Sequence, residues 1–265
     1  MEPFLKTLAH HLFNKYGEDI QDIVLVFPNR RAGLFFRQYL SEAADRNIWS
    51  PRTLTINELM LELSDLQLAD PVDIIFEIYN VYSQLKDNPE SFDDFYPWGE
   101  LMISDFDDID KYMINAEDLF MNIIGLKEID DLFNYITPEQ KEIIRKFWGH
   151  FMDENPSIQK DSFLKLWKLL YPCYSQLKIN LKKKSLAYEG MIYRDVAEKI
   201  AENKLTDQAW NKILFIGFNA LNEAEKIIFR YLQNSKQGEF YWDYDRYYID
   251  NPAIEAGRFL RKNIN

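Results

Sequence analysis

The stretch "VLVFPNRRAGLFFRQYL", residues 24–40, decides the fold class. Residues 22–27, "DIVLVF", are apolar and β-branched, and Pro28 and Asn29 bound them, which is the pattern of a buried strand. Beyond the turn, Leu34, Phe35, Tyr39, Leu40 and Ala43 recur at helical spacing. A strand, a sharp turn and a helix that opens with Arg30 and Arg31 stand where an α/β nucleotide enzyme keeps its phosphate loop. Yet the stretch holds no Gly-rich loop and no Gly-Lys-Ser/Thr.

The same texture recurs on both sides. In "PRTLTINELMLEL" (51–63) a short strand, "RTLTI", leads into a helix expected to start near Asn57, whose side chain would cap the first turn. Near the other end, "KILFIGF" (212–218) and "GEFYWDYD" (238–245) read as strands. "LNEAEKIIFRYLQN" (221–234) and "NPAIEAGRFLRKN" (251–263) read as helices. From about Pro71 to Leu205 strand signals vanish. "TPEQKEIIRKFWGHFM" (137–152) starts like a capping box, with Thr137 at the cap, Pro138 in the first turn and Gln140 three residues on. "DSFLKLWKLLYPCYSQLK" (161–178) reads as a helix interrupted near Pro172. The expectation is an α/β core in two parts, residues 1–70 and 206–265, split by an all-helical insertion over 71–205. The chain stops just after a helix with no closing strand, so a fragment of a longer protein is expected.

A chain of 265 residues, 47% hydrophobic, can bury a core of that kind. No run approaches the roughly 18 apolar residues of a membrane helix. The start, "MEPFLKTLAHHLF", has an acidic second residue and no small-residue cleavage site, so it reads as an amphipathic helix rather than a secretory signal. The single Cys173 can form no internal disulfide, which fits a cytoplasmic location. A net charge of −12 argues against a non-specific nucleic-acid coat, although not against a local contact. Residues 93–110, "DDFYPWGELMISDFDDID", hold seven acidic residues and no basic one. That run reads either as a solvated helical face or as a surface for a basic partner.

Taken together, "VLVFPNRRAGLFFRQYL", "TLTINELM", "WGELMISDFDDIDKYMINAEDLFMNI", "LAYEGMIYRDVAEKI", "ILFIGFNALNEAEKIIFRYL" and "FYWDYDRYYIDNPAIEAGRFLRKN" resemble the N-terminal part of AddB-type subunits of helicase–nuclease complexes. The resemblance is especially to the Bacteroidetes proteins that carry a PD-(D/E)XK nuclease domain at their far C-terminus. The resemblance implies a P-loop-NTPase-like parallel sheet of the UvrD-type helicase domain 1A, interrupted by a helical domain 1B. "FPNRRAG" is similar to the helicase motif F-T-N-K-A-A, and "TINEL" to T-[FI]-H-S-F; both contact the backbone of single-stranded DNA. By that resemblance Asn29, Arg30, Arg31, Thr55 and Asn57 are the candidate DNA-binding residues. Helix N-termini offer unpaired N–H groups that suit phosphates, and Arg adds a bidentate donor. The alternative is that Asn29 only caps its helix while both arginines are solvated surface.

The nucleotide chemistry of that family is missing. "MEPFLKTLAHHLFNKYGEDIQD", before the first strand, contains no G-x-x-x-x-G-K-[ST]. The family's acidic pair falls on Ile216 and Gly217, which can neither hold Mg²⁺ nor activate water. G-D-x-D-Q falls on "WDYDR", where Asp243 and Asp245 remain but Arg246 replaces the γ-phosphate-sensing Gln. The resemblance therefore implies a non-catalytic, helicase-like DNA scaffold in double-strand break repair and recombination. It would have no cofactor of its own, would bind single- or double-stranded DNA weakly, and would have an AddA-type helicase subunit as partner.

Other chemistry is set aside. His10, His11 and His150 show no metal-ligand spacing. In "SDFDDID" Asp105, Asp108 and Ile109 do not converge on a cation. The E-x-K matches at 139–141 and 202–204 are expected in helices rather than on a nuclease strand. "FYWDYDRYY" (240–248) suits either base stacking or a half-buried strand. The rival function is a protein-interaction module on a degenerate P-loop-like core, with the acidic helices as its docking surface.

Overall fold

The computed structural model of the chain describes residues 2–121, 159–205 and 210–263. In chain order the elements are α1 (Phe4–Tyr16), a 3-10 turn (Gly17–Asp22), β1 (Val24–Phe27), α2 (Arg30–Ala44), β2 (Arg52–Thr55), α3 (Ile56–Leu63), β3 (Gln67–Leu68), α4 (Pro71–Leu85), α5 (Phe92–Lys111) and α6 (Ala116–Met121). They continue with α7 (Gln159–Lys183), β4 (Leu186–Ala187), α8 (Glu189–Ala201), β5 (Ile213–Ile216), α9 (Glu223–Asn234), β6 (Gly238–Tyr241), α10 (Arg246–Asp250), a 3-10 turn (Glu255–Gly257) and α11 (Arg258–Asn263). They form two compact units: Met1–Leu63 with Val196–Asn265, and Ser64–Asp195.

The first unit is α/β, built on a four-stranded parallel sheet of order β2-β1-β5-β6. Val24 lies opposite both Arg52 and Ile213, and Phe27 opposite Thr55. Every residue of β1 and β5 is buried. Inner strands of a parallel sheet are covered on both faces, so they read as continuous apolar runs. On one face Leu25, Phe27, Leu214 and Ile216 meet Leu8 and Leu12 of α1 and Phe36 and Leu40 of α2. On the other, Phe215 stacks on Phe240 with ring centroids 5.3 Å apart and meets Phe229 of α9 at 4.2 Å. Full burial of side chains this size stabilises by about 1.5–3 kcal/mol each.

The C-terminal stretch departs from the sequence expectation. The strand ends at Tyr241, and the helix expected over 251–263 is broken into short pieces. Asp245 caps α10, accepting from the Tyr247 N–H at 2.8 Å. Pro252 has no N–H to donate and disfavours helical geometry at Asn251, so 251–254 leaves the helix. The Arg261 guanidinium gathers this loop, donating to the carbonyls of Tyr248, Asn251, Pro252 and Ile254. Gly257 permits that closure, because a Cβ there would lie 2.1 Å from the Tyr248 carbonyl oxygen.

In the second unit Asp70 caps α4, with Pro71 opening the helix, and Ser91 caps α5. Two expectations need correction here. The segment 71–205 is not all-helical: β4 pairs in parallel with β3 to make a second, separate sheet. Strands of two residues are too short to leave a period-2 signal. Nor does Pro172 interrupt its helix, since α7 runs straight through it. Proline removes one hydrogen bond, but the buried Cys173, Tyr174, Leu177 and Leu181 hold the helix beyond it. The "TPEQKEIIRKFWGHFM" segment, with its E-x-K match and His150, lies outside the described residues.

The acidic run is a solvated face only in part. Asp93, Asp94 and Glu100 are exposed, but Asp105 and Asp110 are buried. Asp110, with no accessible surface, accepts from the hydroxyls of Tyr174 and Tyr188, from Lys178 Nζ at 2.8 Å and from Arg194 Nε at 2.5 Å. Arg194 also donates to the carbonyls of Ile109 and Ile114, which fastens α8 to the end of α5. Removing one partner of a buried ion pair costs about 3–5 kcal/mol. Asp110→Ala should therefore lower the urea midpoint sharply, whereas Asp93→Ala on the same helix should leave it nearly unchanged.

A second carboxylate ties the first unit. Glu239 accepts from Lys15 Nζ at 2.8 Å, Lys212 Nζ at 2.5 Å, Tyr16 at 3.0 Å and Tyr241 at 2.8 Å. Burial pushes its pKa up, but the hydrogen bonds from Lys15, Lys212 and the tyrosines outweigh it and hold the carboxyl at about 2. A carboxyl depressed in the folded state contributes stability above its unfolded pKa, and loses it as pH falls through the folded value. The stability gap between the wild type and Glu239→Gln should accordingly narrow between about pH 4.5 and pH 2. Denaturant unfolding at stepped pH measures that gap.

Candidate nucleic-acid interface

All four main strands run parallel, so their C-terminal ends share one edge of the sheet. Asn29 leaves β1 in extended geometry and its side chain accepts from the Ala32 N–H at 3.0 Å, which starts α2. Next door β2 ends at Thr55 and α3 begins at once. Between α2 and α3 lies a cleft of about 290 Å³, lined on the α2 side by Asn29, Arg30, Gly33, Leu34 and Arg37. Thr53, Leu54, Thr55 and Glu58 line the other side, and Phe27 also lines it. Gly33 brings α2 close to the sheet: a Cβ there would touch the Phe27 ring at 3.4 Å.

The Arg30 side chain is 81% exposed and is ion-paired. Its Nη2 and Nε donate to Glu58 Oε1 at 2.7 and 3.1 Å. The other oxygen of Glu58 accepts from the Thr55 N–H at 2.7 Å and from its hydroxyl at 3.0 Å. The Thr55 Oγ1 in turn accepts from the Glu58 N–H at 3.2 Å. This is a reciprocal capping box. It corrects the expectation that Asn57 is the cap: Asn57 stands inside the first turn of α3, half-buried, and does not line the cleft. The backbone N–H of Thr55, then the Arg30 guanidinium, hold the Glu58 carboxyl below the usual carboxylate range.

Asn29, Arg30 and Thr55 are thus brought together, and Arg31 and Asn57 are not part of the cleft. Arg31 is exposed and lies over the Phe35 ring, 5.7 Å from its centroid. Two residues of the cleft were overlooked in the sequence reading. Arg37 follows Arg30 by two helical turns, roughly 10 Å along the axis, which keeps both on one face. Glu58 was legible as the fourth residue of "TINE", the capping-box signature. Arg30, Arg31 and Arg37 make α2 locally basic, with Glu42 its one acidic residue, in a chain of net charge −12.

Elsewhere on the edge the side chains are of other kinds. Ile216 is fully buried, and Gly217 has a φ of +74° with the Phe4 ring beside it. Asp243 is exposed, Asp245 is consumed as a cap and Arg246 opens α10. "FYWDYDRYY" divides between its two readings. Phe240 belongs to the aromatic cluster beneath α9, whereas Tyr244, Tyr247 and Tyr248 are 48%, 68% and 44% exposed. The E-x-K at 202–204 follows the end of α8 rather than lying within a helix. Among the described residues no three His, Cys, Asp or Glu side chains are placed to hold a metal ion, and no helix is long and apolar enough to cross a membrane. No protein-family model matches the chain and no curated protein matches it significantly.

The capping box is testable by itself. Thr55→Ala removes the side-chain acceptor of α3 and should cost about 1 kcal/mol. Glu58→Gln keeps an acceptor for the Thr55 N–H and should cost less, with both values read from urea unfolding.

Proposed function

We propose that this chain is a non-catalytic, helicase-like scaffold of an AddAB/RecBCD-type helicase–nuclease, guiding DNA strands during double-strand break processing in the cytoplasm. The observation that carries the reading is the basic face of α2 at the C-terminal edge of a parallel sheet, where open α/β sheets take their ligands. The main sheet and the separate, largely helical second unit suit a P-loop-NTPase-like core with a helical insertion. Where ATP chemistry would need acidic groups the chain has a buried Ile216 and a left-handed Gly217. Hydrolysis would then belong to an AddA-type partner, and cleavage to a nuclease domain elsewhere in the full protein. Arg31, in the first turn of α2, and Arg37, two turns further along it, are the phosphate donors in this reading, with Arg30 held in reserve by Glu58. The exposed tyrosines beyond β6 offer faces on which bases stack.

A second reading, a protein-interaction module, is favoured by one observation. Phe76 and Phe92 stack at 4.4 Å on the second unit, with Phe76 48% exposed, next to the acidic start of α5.

Fluorescence anisotropy with a labelled oligo-dT across a salt series tests the first reading. Weak binding that falls as salt rises is expected, and Arg31→Ala with Arg37→Ala should flatten the salt dependence by about 1.4 in slope, near 0.7 per phosphate contact. Stability should move by only about 0.5 kcal/mol, because both side chains are exposed. Calorimetry with Mg-ATP should show no saturable heat. Binding that ignores these substitutions, or ATP turnover by the clean chain, overturns the assignment.

A further inference from the structure

We infer that Glu58 is a built-in competitor for phosphate, which withholds Arg30 from small anions and yields it only to a polyanionic backbone; this rests on the DNA reading of the same cleft. The cleft presents an imbalance. Arg37, also exposed, has no hydrogen bond or ion pair with any other described residue, whereas Arg30 is held through two of its nitrogens by one carboxylate oxygen. That carboxylate cannot swing away freely. Its second oxygen is anchored by the Thr55 N–H and hydroxyl at the head of α3, so the first oxygen stays aimed at Arg30. A fixed intramolecular partner acts like a ligand at millimolar concentration or above. A single phosphate meeting Arg30 alone must displace it for one ionic contact and gains little.

A nucleic-acid strand is in a different position. Phosphates already engaged by Arg31 and Arg37 bring the next one to Arg30 at comparable effective concentration, and Glu58 is displaced with no loss of its cap, since Oε2 keeps both bonds to Thr55. Glu58 then sets which anions the site accepts as well as how tightly. The position is also chemically separable. The capping box works with Gln as well as Glu at this place, so Glu58→Gln removes the competing charge and keeps α3 capped.

The test uses four chains: wild type, Glu58→Gln, Arg30→Ala and the double variant. Exposed ion pairs of this kind are worth up to about 1 kcal/mol, so Glu58→Gln should tighten oligo-dT binding by up to about fivefold and steepen the salt slope by about 0.7. In the Arg30→Ala background the same substitution should change neither. Equal tightening in both backgrounds would mean that Glu58 acts only as diffuse negative charge, and no tightening in either would mean that it does not compete; both outcomes overturn the inference. A readout independent of DNA is the rate of phenylglyoxal modification at Arg30, mapped by peptide mass with Arg230, exposed on α9 and outside the cleft, as internal reference. In Glu58→Gln, Arg30 should react faster and inorganic phosphate should protect it; in the wild type, phosphate should give no protection. If none of the chains binds the oligonucleotide, the DNA reading has failed. The competition between Glu58 and phosphate then stands or falls on this modification pattern alone.

Discussion

Strand β1 must be buried on both faces and hydrogen-bonded on both edges at once. It pairs with β2 on one side and β5 on the other, across a separation of more than 150 residues in the chain. Parallel neighbours cannot be joined by tight turns, so everything else in the first unit follows from supplying crossovers and cover. Helix α2 is the crossover to β2 and roofs one face together with α1, while α9 is the crossover from β5 to β6 and roofs the other. The chain leaves β1 toward one side and β5 toward the other. The connections that leave their C-terminal ends therefore diverge, and the arginines of α2 are left at an edge that no strand covers.

The main strands were legible because "VLVF" and "ILFI" are unbroken apolar runs, and unbroken runs belong inside parallel sheets. The basic start of α2 was legible for a similar reason, since Asn29 is a good cap and charge follows it directly. The C-terminal stretch was harder. "YWDYDRYYID" mixes aromatic and acidic residues without a period, and its conformation depends on Arg261, at least seven residues away from every carbonyl it binds. At the head of α3, Asn57 is a capping residue type, but the box that begins two residues earlier, at Thr55, sets the true start of the helix. Asp110 was invisible in a run of similar acids, because burial there is decided by Tyr174, Tyr188, Lys178 and Arg194, at least 64 residues further on.

Three carboxylates carry much of the specificity of the structure, each in a different environment. Asp110 is fully enclosed and shared by two hydroxyls and two cations, an arrangement in which each donor satisfies the charge left by desolvation. Glu239 is half-open and joins the end of α1 to β6 and to Lys212, just ahead of β5. Glu58 sits at the surface and joins a helix cap to an arginine. The large negative charge of the chain is therefore a poor guide to its surface. Some of its acid is internal wiring, and α2 stands out as basic against what remains.

The four carbonyls bound by Arg261 run from Tyr248 in the short α10 to Asn251, Pro252 and Ile254 in the loop that follows it. One planar guanidinium does there what a neighbouring strand does elsewhere, gathering acceptors that would otherwise turn to water. The loop after α10 acquires a fixed shape without becoming an element itself. Tyr247 and Tyr248 stand next to the carbonyl that Arg261 grips, their rings 5.5 Å apart and edge to face. They are exposed side chains on an anchored backbone, so a flat partner laid against them loses little conformational freedom on the protein side.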